Sequence, residues 1–244
     1  MRRTSLILAA TAGVLAASTT TATARSPVPP LPPPNDFATR IDNPWLPFPP
    51  GRVLTYDGIK DGHQATDVLT VTHQTKLIAG IRATVVHDRL DEWTGHGATR
   101  RRYLAERTTD WYAQDKQGNV WYLGENTATL APNGHVISTE GTWRVGVNRA
   151  HAGIFMPVQP RVGTNGYQEF YPGHAEDRYR VLRLNAPVSA PAASSRHALL
   201  TQETTALEPG VIDHKYYIRG IGDVIERTIR GGNEHFILVS ITGP

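Results

Sequence analysis

Between Asp110 and Glu125 the chain reads Asp-Trp-Tyr-Ala-Gln-Asp-Lys-Gln-Gly-Asn-Val-Trp-Tyr-Leu-Gly-Glu. Two aromatic runs flank a polar turn that ends in Gly118, and each run alternates in the manner of a strand. Aromatic and β-branched residues at period two suit a pleated surface, and a glycine turn between two such runs makes a β-hairpin. The tract therefore constrains the fold class more than any other part of the sequence. It also gathers Trp111, Tyr112, Trp121, Tyr122 and Glu125 in one place.

Period two continues on both sides. Strands are predicted over 52–57, 65–74, 77–91, 99–104, 107–115, 119–125, 135–140, 167–172, 175–184, 197–205, 211–218, 222–230 and 233–242. Turn residues fall between them at Asp61-Gly62, Ala79-Gly80, Asn133-Gly134, Pro209-Gly210 and Gly231-Gly232-Asn233. No long window carries apolar residues at helical spacing, so 145–160 and 185–195 are expected to be loops. The expectation is one all-β domain, a strongly curved antiparallel sheet or incomplete barrel of roughly ten or more strands. A sheet of that size must curl to cover its apolar face.

The first 24 residues have the composition of an export signal. Arg2 and Arg3 precede the short apolar run Leu6–Ala17, and Ala22-Thr23-Ala24 forms a small-x-small cleavage site. The apolar run is too short to span a membrane. Residues 25–40 begin Arg-Ser-Pro-Val-Pro-Pro-Leu-Pro-Pro-Pro and read as an extended spacer, leaving 41–244 as the folded domain. Removing the signal lowers the formal charge from +3 to +1, and Arg100-Arg101-Arg102 stands alone as a basic run. A nucleic-acid partner is not expected. The chain contains no cysteine, which excludes disulfides, thiolate metal sites and a cysteine nucleophile. A secreted protein, with association to the cell envelope as an option, is the expected localisation. Oligomeric state is not encoded in any pattern of the chain.

Several segments resemble a bacterial, actinobacterial-type family of exported proteins of unknown function. They are Asp42-Asn43-Pro44-Trp45-Leu46-Pro47, the 110–125 hairpin, Glu140-Gly141-Thr142-Trp143, and Glu169-Phe170-Tyr171-Pro172-Gly173-His174-Ala175-Glu176-Asp177. His174 departs from the family's pattern. The ending Tyr216-Tyr217 before Gly220-Ile221-Gly222 is similar, at the level of fold, to periplasmic lipoprotein-type curved β-sheets. That resemblance implies a carrier of apolar ligands or a binding platform, by analogy alone.

Three chemistries are open to these residues. The leading expectation is a non-enzymatic exported binding protein with an elongated apolar cavity. It would hold an apolar or amphipathic small molecule, or a cell-envelope component, against a concave face lined by Trp111, Tyr112, Trp121, Tyr122, Glu125, Trp143 and Glu169. Burial of apolar ligand surface drives such binding, and a few polar groups orient the ligand. A second reading places a divalent metal on His174, Glu176 and His214, because an imidazole and a carboxylate two residues apart share one face of a strand. No other cofactor is expected. A third reading is a hydrolase built on two of Glu125, Glu140 and Glu169, since a carboxylate against an aromatic ring can act as a general acid. Nucleophile-elbow, dinucleotide and phosphate-loop patterns are missing from the sequence. His214 and Lys215 are expected to alternate on their strand, one inward and one outward.

Overall fold

The computed structural model describes residues 28–95 and 97–244; the proposed export signal lies outside them. The strands are β1 Val53–Lys60, β2 His63–Ile78, β3 Ile81–Thr94, β4 Arg101–Gln114, β5 Val120–Leu130, β6 Val136–Ser138, β7 Trp143–Arg144, β8 His151–Met156, β9 Asn165–Tyr167, β10 Glu169–Phe170, β11 Asp177–Ala190, β12 Ala193–Thr205, β13 Ile212–Ile218, β14 Gly222–Arg230 and β15 His235–Thr242. The helical content among these residues is two 3₁₀ turns, Pro34–Asp36 and Gly97–Thr99.

The fifteen strands form one antiparallel sheet in the order β10-β8-β5-β4-β3-β2-β1-β15-β14-β13-β12-β11-β9, with β6 and β7 also paired to β5. The sheet curls into a nearly closed barrel. It consists of two meanders. One runs from β1 to β5 and on to β8 and β10, and the other from β11 to β15 with β9 added. They meet at β1 and β15, where Val53 faces Thr242.

The opposite meeting point is a seam made by residues 165–170. Its first half, β9, pairs with β11 through Tyr167 and Arg178. Its second half, β10, pairs with β8 through Glu169 and Ala152. The hand-over occurs at Gln168, whose N–H still donates to the Asp177 carbonyl at 2.8 Å. One short segment thus bonds both free edges, which would otherwise present unpaired backbone groups. Gly153 makes the close approach feasible. A Cβ there would sit 2.2 Å from the Tyr167 carbonyl oxygen.

Tight turns follow the sequence. Asp61-Gly62 has φ values of 50° and 82°, and Ala79-Gly80 has 48° and 80°. These left-handed pairs match the twist of the flanking strands. Several stretches differ from the sequence reading, among them 167–172, which divides between β9 and β10, and the unpredicted β7. The predicted 99–104 and 107–115 strands are continuous as β4, and the 145–160 loop contains β8, paired to β5 through Trp121 and Ile154. The 185–195 loop belongs to the β11–β12 hairpin, with Pro191 and Ala192 alone outside the strands. Its Ala and Pro content hid the pattern, yet Ala186, Val188 and Ala190 alternate inward as buried residues. Pro187 lies where the register shifts, so its missing N–H breaks no regular ladder.

The Pro-Trp-Leu-Pro-Phe segment plugs one mouth. Trp45, Leu46 and Phe48 are buried in the same cluster as Tyr112, Tyr122, Leu199 and Tyr217. Gln114 anchors the plug, its side-chain oxygen accepting from the Asp42 and Asn43 N–H groups at 2.9 and 2.7 Å. The proline-rich run lies along the outer face, where Leu31 and Phe37 pack on Trp111, Trp121 and their neighbours.

Candidate functional site

Alternation along β4 sends Glu106, Thr108, Asp110, Tyr112 and Gln114 inward. On β5 the alternation is broken on purpose by a bulge, where Trp111 faces Gly124 but Tyr112 faces Tyr122. The extra residue leaves Tyr122 and Glu125 both inward, three positions apart. Gly124 sits at φ 138°, and a Cβ there would lie 2.5 Å from the Trp143 carbonyl oxygen. The glycine lets β7 approach and lays Trp143 opposite Glu125.

The result is an aromatic wall with carboxyls set into it. Tyr112 and Tyr122 stack at 4.7 Å, with Phe155 edge-on to both. Trp143 meets Tyr122 edge-to-face at 5.5 Å. The Tyr122 hydroxyl donates to Asp110 Oδ1 at 2.6 Å, and Trp143 Nε1 donates to Glu169 Oε2 at 2.5 Å. Asp110 is fully buried, and its Oδ2 has no hydrogen-bond partner among the described residues. Glu125 lies directly opposite Asp110 and is partly exposed.

These carboxyls are raised together. Burial pushes Asp110 well above the usual carboxylate range, and the charge of Asp88 adds to it, against the Tyr122 hydrogen bond. Burial likewise raises Glu125, with Glu169 and Asp110 as the nearby negative charges. Glu169 is raised by burial and by Asp177, while the Trp143 N–H opposes. Loss of hydration disfavours the ionised form, and like charges compound it.

Across the barrel the balance is different. Lys215 on β13 is buried, its Nζ 3.0 Å from Glu203 and 3.6 Å from Glu226. Burial alone would lower its affinity for a proton, but the two glutamates outweigh burial and hold Lys215 above the ordinary lysine value. Glu203 shows the reciprocal effect. Burial raises it, yet Lys215 and the hydrogen bonds from Lys215 and Gln168 leave it below the ordinary range. A cavity of about 50 Å³ lies between the two halves, lined in part by Phe48, Tyr56, Asp88, Tyr112, Lys215 and Glu226. That is room for a few waters. Its lining sets apolar side chains beside the charged Asp88, Lys215, Asp223 and Glu226.

The seven residues expected to line one concave face divide between two. Tyr112, Tyr122, Glu125, Trp143 and Glu169 come together inside. Trp111 and Trp121 lie on the outer face, in the cluster covered by Leu31 and Phe37. Neighbouring residues on a strand point to opposite faces, so Trp-Tyr pairs cannot share one. Lys76 Nζ sits 3.7 Å over the Trp111 ring, and Trp121 Nε1 donates to Asp115 at 2.8 Å.

The expected metal residues are not gathered. His174 Nδ1 contacts Glu140 Oε1 at 2.8 Å on the surface and stacks on Tyr171. Glu176 accepts from the Gly173 N–H, and His214 lies on β13, partly buried beside Lys215. Among the described residues no group of three or more His, Asp or Glu is arranged to hold a metal ion. Glu140, taken up by His174, stands apart from Glu125 and Glu169. Asp110, Glu203 and Glu226 are buried inside as well, where the sequence analysis placed no candidate. For Asp110 the signal was present, since it shares the even-numbered face of the hairpin with Tyr112. For the glutamates, the partner Lys215 is far away in sequence.

Among the described residues no helix is long and apolar enough to cross a membrane. No protein-family model matches the chain, and no curated protein matches it significantly. Among solved structures it is similar to a candidate exported protein with YmcC-like fold from Bacteroides fragilis. The two share 11% sequence identity and a TM-score of 0.46, over 82% of this chain and 99% of that one.

Proposed function

We propose that this chain is an exported, non-enzymatic binding protein that holds an amphipathic small molecule or cell-envelope component on the inward face of the β4–β5 hairpin. The carrying observation is the convergence of Tyr112, Tyr122 and Trp143 with Asp110, Glu125 and Glu169 inside the barrel. Apolar walls with a few placed polar groups are the usual make-up of a ligand site. The mixed lining selects an amphipathic ligand over a purely apolar one. Export rests on the N-terminal sequence.

The 50 Å³ cavity meets this face only at Tyr112 and Phe155, and it is far smaller than a site of roughly 300 Å³ or more for a drug-sized molecule. Entry therefore requires a wall to move. The β10–β8 pairing, two residues long, is the weakest candidate wall. A hydrolase is less well supported. Acid–base hydrolysis needs environments that push two carboxyls apart, and here Asp110, Glu125 and Glu169 are all pushed the same way.

Native and denatured mass spectrometry of protein exported by its own host tests the proposal. A retained organic mass that leaves on denaturation is expected. A native mass equal to the polypeptide alone, with no added amphiphile taken up, would overturn it.

A further inference from the structure

The outer wall of the second meander carries a line of cations that no run of the sequence displays. Across β11–β15 one level of the sheet points Val181, Thr201, Lys215, Glu226 and Phe236 inward, all buried. The residue one step along each strand must face outward. Those residues are also neighbours in register. Arg180 pairs with Gln202, Gln202 with His214, His214 with Arg227, and Arg227 with His235. Arg180 and Arg227 are exposed, and Gln202, His214 and His235 are half-buried in the wall. Side chains directly opposite on adjacent strands stand about 5 Å apart. Arg180 and Arg227, three strand steps apart, are therefore separated by about 14 Å.

The row lacks a counter-charge. Among the described residues none of Arg180, His214, Arg227 and His235 forms an ion pair with an acid, whereas Arg89 and Arg102 both hold Asp91. Asp213, beside His214 in sequence, is buried and accepts from the Thr228 hydroxyl at 2.6 Å. Lys215 and Glu226 face inward, Glu234 precedes His235, and the lateral neighbours Gln202 and Ile59 are uncharged. Burial lowers the proton affinity of His214; Asp213 opposes this and Arg227 adds to it. Burial lowers His235 too, and Arg227 again adds. An anion laid on Arg227 would offset that repulsion on both sides.

The arrangement favours phosphate. A carboxylate is planar and is satisfied by one guanidinium fork. A phosphate group holds its oxygens in more than one plane, so it can accept from Arg227 and from an imidazole on the next strand together. The second exposed arginine on the same line calls for a second negative group in the same molecule. We propose that Arg180, Gln202, His214, Arg227 and His235 form a docking strip for a linear, phosphate-bearing polymer of the cell envelope, laid across β11–β15 on the outer wall. The strip shares with the reading above only the premise of export, and it lies on the opposite face of the sheet from the interior site.

Fluorescence anisotropy of dye-labelled linear polyphosphate, titrated with the exported protein, tests the proposal. Binding is expected to weaken with salt and to tighten as pH falls from 8 to 5, as His214 and His235 gain their protons. Arg180→Gln with Arg227→Gln should lower affinity at least about tenfold and make the salt dependence shallower. Arg161→Gln with Arg196→Gln, which removes the same charge from exposed positions off the row, should leave affinity unchanged. His214→Gln with His235→Gln should flatten the pH dependence. An equal loss in the Arg161/Arg196 pair would overturn the strip, because net charge alone would then explain binding. Equal affinity for poly-L-glutamate of matched length would overturn the phosphate assignment. Absence of polyphosphate binding at pH 5 and low salt would overturn the proposal outright, with no bearing on uptake of an amphiphile inside the barrel.

Discussion

Replacing Lys215 with methionine tests whether the barrel interior is held by charge balance. At an effective dielectric of about 20, opposite charges at the 3.0 Å Lys215–Glu203 distance attract by roughly 5 kcal/mol. Burying both ions offsets much of that, so the intact pair contributes little net stability. Methionine keeps most of the side-chain volume but leaves Glu203 and Glu226 buried without a cation. Breaking a buried pair in this way costs about 3–5 kcal/mol. For a chain of this size that corresponds to a fall in Tm of roughly 6–20 °C. The assay is urea unfolding followed by tryptophan fluorescence, repeated from pH 7 to pH 4. The sign is fixed by Glu203, whose folded value lies below the ordinary one. Its stabilisation is complete above the unfolded value and is lost as pH falls through the folded value. In Lys215→Met the cation that chiefly opposes burial is gone and only hydrogen bonds such as that from Gln168 remain, so Glu203 shifts upward and the variant sheds its penalty on acidification. The gap to wild type should therefore narrow toward pH 4. Adding Glu203→Gln to Lys215→Met should recover more than half of the loss. A loss below about 1 kcal/mol, a gap that stays constant in acid, or additive single variants would refute the reasoning.

Other outcomes follow from the same structure. Glu169 is raised in the folded state, so the protein holds its proton longer than the unfolded chain does, and stability falls as pH rises from the unfolded value to the folded one. Glu169→Gln should flatten that slope and raise stability at pH 8 by about 1 kcal/mol or more in urea titrations. Exposed Ala79 sits at φ 48°, so Ala79→Asn should stabilise by up to about 1 kcal/mol, read as a higher denaturation midpoint. Gly153→Ala places a methyl against the Tyr167 carbonyl and should cost about 1–3 kcal/mol, with faster amide exchange at Gln168 and Glu169 while β1–β5 stay protected.

The all-β class and most strands were legible because each strand carries its own alternation and each tight turn its own glycine. The 110–125 hairpin illustrates both the reach and the limit of that signal. Its turn and its two strands follow from local chemistry. The bulge at Gly124 does not, because it answers to Trp143, which reaches β5 only in the folded sheet. Without the bulge, Glu125 would not share a face with Tyr122. The outward position of Trp111 and Trp121 depends on Leu31 and Phe37, about 80 residues earlier, covering that face. Lys215 reads as an ordinary alternating lysine until β12 and β14 bring Glu203 and Glu226 beside it. The seam was least legible, since 165–170 divides its backbone bonds between two edges whose proximity no local pattern records.

The pairing of β1 with β15 bears on how the chain can be made. Every other neighbour in the ring lies in the same meander or is joined through the seam segment, but Val53 waits for Thr242. A chain threaded into a new compartment N-terminus first would assemble its first meander with the β1 edge bare. The Arg52 side chain, which holds the carbonyl of Pro244 at 2.6 Å, would likewise lack its partner. A bare edge strand recruits other chains, and pairing across this sequence distance is slow. Cutting the last eight or so residues should therefore leave more than a shortened barrel. It should leave an open ribbon with a sticky margin, prone to pairing with its own kind.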